Sequence, residues 1–201
     1  MTVTLIAVGS IKEGYFTSAI EEYKKRLSTY ARVEEVILKE ESIRNEDDKS
    51  EISRALEREG DAIVRALPKD SFKIAMCVEG VQYDSVALAH LIEERTSTSG
   101  RVALVIGSSH GLSDSVKRAC DLRLSTSKLT FPHQLMRVIL LEQIYRAMNI
   151  NNGGKTPVAG VVHTFVLLLV LLLVRHTLHQ KILKIRFIWY SLLALMLTIV
   201  M

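Results

Sequence analysis

Cysteine is scarce in this 201-residue chain: Cys77 and Cys120 are the only two, too few for a disulfide scaffold at this length. Both fall in segments that read as a buried strand and a helix, so reduced structural thiols in a cytosolic protein are expected. No basic n-region precedes Thr2 to Val8, and that apolar run is too short for a signal peptide, so nothing there exports the body. Acidic residues are missing altogether beyond residue 155, where Arg175, Lys181, Lys184 and Arg186 are the only charges. Before that point 22 basic side chains balance 22 acidic ones. The balance hides a second division, because residues 1 to 94 hold 13 basic and 19 acidic while residues 95 to 155 hold 9 and 3. A local charge of +6 makes a modest case for a phosphate-bearing partner. The six histidines are scattered and the two cysteines far apart, so a metal enzyme is not expected. A Walker phosphate loop and a Gly-x-Ser-x-Gly elbow are also absent.

What is present is an alternation of strand-length apolar runs with amphipathic stretches, the pattern of an α/β domain. Strands are predicted at Val3 to Val8, Val33 to Leu38, Phe72 to Val78, Val102 to Ile106 and Leu122 to Leu124. Helices are predicted over Tyr15 to Tyr30, Glu46 to Leu67, Ser85 to Arg95, Ser113 to Cys120 and Pro132 to Ile150. Pro68 ends the second, Ser85 and Ser113 offer caps, and Asn151-Asn152-Gly153-Gly154 ends the last. Glu79-Gly80 reads as a turn, and Glu40 to Lys49 as a solvated loop that can also gate a site.

Two places could carry chemistry. The fourth strand runs into Gly107-Ser108-Ser109-His110-Gly111 and a helix start, the position where open α/β sheets hold nucleotide-like ligands. On this feature alone a ligand-free turn is the favoured reading. The second is the segment Thr126 to Phe131, which leads into the final helix with His133 and Arg137 four residues apart on one face. Either residue alone is more often a solvated or satisfied side chain than a functional one. Leu135, Val138, Leu141, Ile144 and Met148 form an apolar stripe that reads as core or subunit interface, and Glu142, Tyr145 and Arg146 as packing and ion-pair residues.

The segments Leu104 to Ser113 and Leu129 to Ala147, the latter containing Pro132-His133-Gln134-Leu135-Met136-Arg137 and Glu142-Gln143-Ile144-Tyr145-Arg146-Ala147, closely resemble the RlmH family of the SPOUT superfamily. Leu5 to Gly9, Glu21 to Tyr23 and Cys77 to Gly80 fit too, so the resemblance covers residues 1 to about 155. It implies a trefoil-knotted α/β methyltransferase fold over residues 1–155 and a homodimer. It also implies S-adenosylmethionine-dependent methylation of N3 of a pseudouridine in bacterial large-subunit (23S) rRNA, in the cytoplasm. By the family's pattern the cofactor contacts Met76, Gly107 and the run Thr126, Ser127, Lys128, Leu129, Thr130 and Phe131. His133 is then the candidate base, and Arg137 faces the RNA, stabilising charge on the uracil or gripping a phosphate.

The chain departs from the family in two places. Ser108 and Ser109 stand where a Gly-Gly-Pro-x-Gly pattern has its second glycine and proline. In place of the family's Tyr-His-basic ending, Pro157 is followed by 44 residues, which put catalysis more than folding in question. Residues 156–201 are expected to form an atypical hydrophobic, helical extension, with a 17-residue apolar run at Val158 to Val174 and a 15-residue one at Phe187 to Met201. The first is just long enough to be a membrane-span candidate. With a cytosolic body, however, a hairpin would place the basic linker outside, against the positive-inside tendency. A fusion or out-of-frame ending explains the composition break equally well. The competing function is a non-catalytic nucleoside-binding module attached to a membrane through residues 158 to 201.

Overall fold

The structure is a computed structural model and describes residues 1–154. The expected apolar extension and its two runs lie outside the described residues.

Five parallel strands, β1 (Thr2–Val8), β2 (Arg32–Leu38), β3 (Phe72–Val81), β4 (Arg101–Ile106) and β5 (Leu122–Leu124), form one sheet in the order β2-β1-β4-β3-β5. They alternate with helices α1 (Gly14–Leu27), α2 (Lys49–Ala66), α3 (Ser85–Thr96), α4 (Asp114–Ala119) and α5 (His133–Asn151). The near-continuous apolar character of β1 and β4 follows from burial on both faces. Val3, Leu5 and Ala7 pack with Val102, Leu104 and Ile106 on the face covered by α1, α3 and α5. The alternate residues Ile6, Val8 and Val105 join Ala75, Cys77, Ile63 of α2 and Val116 of α4 on the other face.

Local chemistry sets the element ends. Helix α2 begins at Lys49 rather than at the expected Glu46 because the Asp48 carboxylate accepts hydrogen bonds from the Ser50 and Glu51 amides. Those two bonds also hold the Asp48 carboxyl below its ordinary value. Helix α3 is capped by Asp84, which accepts from the Ala87 amide at 2.7 Å, and not by Ser85. Ser113 does cap α4. The expected turn at Glu79-Gly80 is instead the continuation of β3, which reaches Val81 through an irregularity in its pairing with β5. Gly80 is there because a Cβ would lie 2.6 Å from the Leu124 backbone. The two strands can approach this closely only without a side chain.

Helix α5 is integral to the core. Leu140, Leu141 and Ile144 are almost wholly buried, and side chains of this size contribute about 1.5–3 kcal/mol each on full burial. Their sum is comparable with the whole net stability of a typical domain, about 5–15 kcal/mol. The Asn151 amide further ties its end to Ala89 O of α3 at 2.9 Å. To reach this position the chain leaves β5 at the far edge, where the Ser125 amide donates to Val81 O. It returns to the carboxyl end of β1, where Arg137 of α5 is bonded. Since β4 and β3 lie between β1 and β5, residues 125–132 cross the carboxyl ends of the central strands. That crossing is the course the resemblance implies for a knotted chain, and sequence periodicity carries no signal for it.

Candidate active site at the carboxyl edge of the sheet

Parallel strands end on the same side, so the residues that follow β1, β4 and β5, together with the carboxyl half of β3, meet along one edge. Every sequence-predicted site residue lies on that edge or on the start of α5 above it.

After β4, Gly107 opens a closed turn in which the Gly111 amide donates to Ser108 O at 3.0 Å, and Gly111 takes a φ of +89°. A Cβ on Gly107 would stand 1.9 Å from Gly111 O. Glycine is therefore demanded by the turn's own closure, before any ligand is considered. Ser108 is buried, and its hydroxyl donates to Glu59 Oε2 at 2.8 Å, whereas Ser109 is exposed and pairs with His110 Nδ1 at 3.1 Å. The serine that replaces glycine is thus accommodated by a partner on α2.

The return segment is fastened by its own serines. Ser125 Oγ donates to Ser127 O at 2.7 Å, and Ser127 Oγ accepts from the Leu129 amide at 3.0 Å. This leaves Thr126, Lys128, Leu129 and Thr130 exposed, Leu129 at 72%, with Phe131 half-buried. Met76 of β3 is half-buried opposite Leu124 of β5 and packs on the main core.

His133, the first residue of α5, is half-buried. Burial pushes its imidazole below the usual value, Glu40 opposes that shift, and Arg137 and Lys12 add to it. At neutral pH the ring is mostly unprotonated, the form that can accept a proton. Glu40 is exposed, as expected of its solvated segment, and its carboxylate lies beside the end of β1, where a Cβ on Gly9 would meet its Oε2 at 3.0 Å.

Arg137 differs from expectation. The i, i+4 spacing suggested a side chain projecting with His133 toward one ligand, and the resemblance implied that it faces RNA, but Arg137 has no exposed surface in this chain. Its Nη2 donates to Val8 O at 2.8 Å and Gly9 O at 2.6 Å, while Nε and Nη1 have no hydrogen-bond partner among the described residues. The reason is that α5 packs on α1 and α3 at once and buries residues around much of its girth. Spacing along the helix reports a shared face, not which face meets solvent. The apolar stripe likewise goes largely into the chain's own core: Leu141, Ile144 and Met148 are buried, and Leu135 and Val138 are half-buried. Glu142 and Arg146 form the expected ion pair, and Tyr145 packs between Tyr23 and Tyr30.

Two clefts, of about 270 and 440 Å³, open elsewhere, at the amino ends of the strands beside Phe72 and Ser99 and beside Thr2 and Arg101. Neither is lined by a predicted site residue.

Residues 1–155 match the family model described as "Predicted SPOUT methyltransferase". The chain belongs to the SPOUT methyltransferase family. Within it, the chain is 45% identical over 153 residues to "Ribosomal RNA large subunit methyltransferase H" of Caldicellulosiruptor bescii, a match covering 76% of this chain and 97% of that protein. The protein of the same name from Caldicellulosiruptor saccharolyticus is 39% identical over the same shares of both chains. These matches place the chain with the RlmH-type SPOUT proteins. A crystal structure described as a "Probable Methyltransferase" from Bordetella pertussis Tohama I shares the fold, with a TM-score of 0.50 at 18% identity, covering 73% of this chain and 93% of that one.

Sequence reasoning missed Glu59. On α2 it sits in a run of charged residues and reads as solvated, yet it is 4% exposed and bonded through both carboxylate oxygens. The available signal was Gly60 beside it, a small residue where α2 packs against α4; a Cβ there would lie 2.2 Å from Ser113 Oγ.

Proposed function

We propose that the protein methylates N3 of a pseudouridine in large-subunit ribosomal RNA, with S-adenosylmethionine as donor. The observation that carries this reading is the convergence of Gly107, Met76, residues 126–131 and His133 on one sheet edge, in a chain 45% identical to a named rRNA large subunit methyltransferase H. The residues at that edge suit a nucleoside-bearing cofactor. Exposed Leu129 and half-buried Met76 offer apolar surface for a purine, the 125–132 segment offers main-chain hydrogen-bonding groups, and Gly107 keeps the end of β4 free of a side chain.

S-adenosylmethionine, when bound, supplies a methyl group already activated by its sulfonium. The chain's own task is then to hold donor and acceptor in line and to take the imide proton from N3. Gly107, Met76 and the run Thr126 to Phe131 would bind the cofactor. The neutral imidazole of His133, at the start of α5, would accept the proton. Arg137 would act at one remove, because its Nη2 holds the Val8 and Gly9 carbonyls and so fixes the end of β1 against α5 one helical turn from His133. That makes it a positioning residue in this reading.

The working unit in this proposal is a homodimer in the cytoplasm, where ribosomes are found. Val78, Val81, Tyr83 and Val86 are exposed hydrophobic side chains on the carboxyl half of β3, the connection after it and the start of α3, flanking the proposed site. A second copy covering them would remove that surface from water.

The test is transfer of a labelled methyl group to ribosomes lacking the modification, followed by mass spectrometry of the nucleosides. Label on N3 of pseudouridine supports the proposal. A well-folded protein that binds S-adenosylmethionine and transfers nothing refutes the substrate, and one that binds none refutes the site.

A further inference from the structure

We infer that Glu59 is the residue that positions the loop after β4 for cofactor binding. This inference rests on the proposed use of that loop as the S-adenosylmethionine site.

Glu59 lies on α2, and α2 packs beside α4 on the face of the sheet opposite α5. The side chain is 4% exposed, and both of its oxygens are engaged. Oε1 accepts from the Glu41 amide at 3.0 Å, and Oε2 accepts from the Ser108 hydroxyl at 2.8 Å. The first contact holds the segment that follows β2, and the second holds the turn that follows β4. Since β1 lies between β2 and β4, this one carboxylate ties together the loops that follow the two strands flanking β1.

Among the described residues no Lys, Arg or His forms an ion pair with Glu59. A buried carboxylate without a cation is poorly compensated, and packing alone would favour an apolar side chain at this position. What it supplies is geometric: two acceptors set at a fixed separation on a rigid helix. Ser108 immediately follows Gly107, so the Oε2 contact fixes the loop within one residue of the backbone proposed to meet the cofactor. Gly107 itself cannot anchor the turn, having no side chain. The turn's internal hydrogen bond between Ser108 and Gly111 sets its shape but not its placement on the body. Glu59 provides the placement.

Position and charge make different predictions. A glutamine at 59 keeps an oxygen for the Glu41 amide and presents an NH₂ group to Ser108, whose hydroxyl can accept as well as donate. Alanine leaves both donors without a partner.

The experiment uses the full 201-residue chain and its Glu59→Gln, Glu59→Ala and Ser108→Ala variants. S-adenosylmethionine affinity is measured by calorimetry, KM and kcat by methyl transfer, and exchange of the residue 108–111 amides by mass spectrometry. Ser108→Ala should weaken affinity and raise KM about tenfold, as expected for one lost buried hydrogen bond, and Glu59→Ala, which removes two, should do so at least as strongly. kcat at saturating cofactor should stay near wild type, and Glu59→Gln should recover most of the affinity. Combining Glu59→Ala with Ser108→Ala should cost little more than Glu59→Ala alone, because both remove the same bond. Should Glu59→Ala fail to fold, Ser108→Ala decides alone.

Unchanged affinity in a folded Ser108→Ala or Glu59→Ala chain overturns the inference, as does a Glu59→Gln chain no better than alanine. If wild type itself binds no S-adenosylmethionine, the cofactor reading fails, and the exchange data judge the strut separately. Faster exchange at 108–111 in Glu59→Ala upholds Glu59 as the loop's anchor, and unchanged exchange removes it.

Discussion

Replacing Arg137 by alanine isolates the contact on which α5 and the end of β1 depend. The side chain is fully buried, and it donates at 2.8 and 2.6 Å to the carbonyls of Val8 and Gly9. Hydrogen bonds from a charged group are worth about 1.5–3 kcal/mol each, so the two contacts alone represent about 3–6 kcal/mol. Against this, burial of the ion is costly, and burial holds the guanidinium below its ordinary pKa. Removing the charge recovers part of that cost. Alanine also leaves a cavity the size of a long side chain, lined by orphaned carbonyls. The net expectation is a loss of about 3–5 kcal/mol. Methionine should lose less, about 1–3 kcal/mol, because it fills the space and leaves only the unpaired carbonyls. Urea unfolding of wild type, Arg137→Ala and Arg137→Met, with the slope checked for constancy, measures both. If Arg137→Ala unfolds within about 1 kcal/mol of wild type, below the usual loss for a broken buried network, the guanidinium does not hold β1 to α5. A charged side chain reaching solvent, as its spacing first suggested, would then be the better description.

Three further predictions rest on the turn after β4, on His133 and on the sequence of the extension. Gly107→Ala already places a Cβ 1.9 Å from Gly111 O, so it should abolish S-adenosylmethionine binding by displacing the turn; calorimetry giving wild-type affinity would contradict this. Because burial lowers the His133 pKa, the folded state binds that proton less readily than the unfolded chain, so its contribution to stability is present above the ordinary value near 6.5 and lost as pH falls below it. Transfer should show an acid limb below that value, and its persistence unchanged in His133→Gln, at whatever residual rate, would exclude His133 as the proton acceptor. Residues 156–201 should be dispensable for folding, so a chain ending at Lys155 should unfold cooperatively and dimerise, and replacing the extension with Tyr-His-Lys should raise transfer; a full-length chain more active than both shows the extension to be a working part.

Legibility in the sequence varied with the range of the interaction. Leu122–Leu124 and the Ser113 cap were readable because hydrophobic runs and caps are local. The Asp84 cap was missed by one residue, as Asp and Ser are both good caps and stand side by side. Gly80 reads as a turn from one strand alone, whereas its true cause is the backbone of β5 beside it, more than forty residues later in the chain. The same limit applies at the site. Gly107 and the 126–131 run were put forward from the strand ends and the family motifs and lie on the edge proposed as the site, but the depth of Arg137 depends on how α1 and α3 flank α5. Glu59 depends on Ser108, its contact 49 positions away. The crossing of residues 125–132 over the sheet edge is a property of strand order, and no local pattern encodes it.

The most direct test of the central claim is nucleoside mass spectrometry of large-subunit rRNA, before and after incubation of unmodified ribosomes with the full-length protein and labelled S-adenosylmethionine. The account predicts one labelled species, N3-methylpseudouridine, formed by wild type and lost in Gly107→Ala. Label on another nucleoside, or transfer that survives Gly107→Ala undiminished, would contradict it.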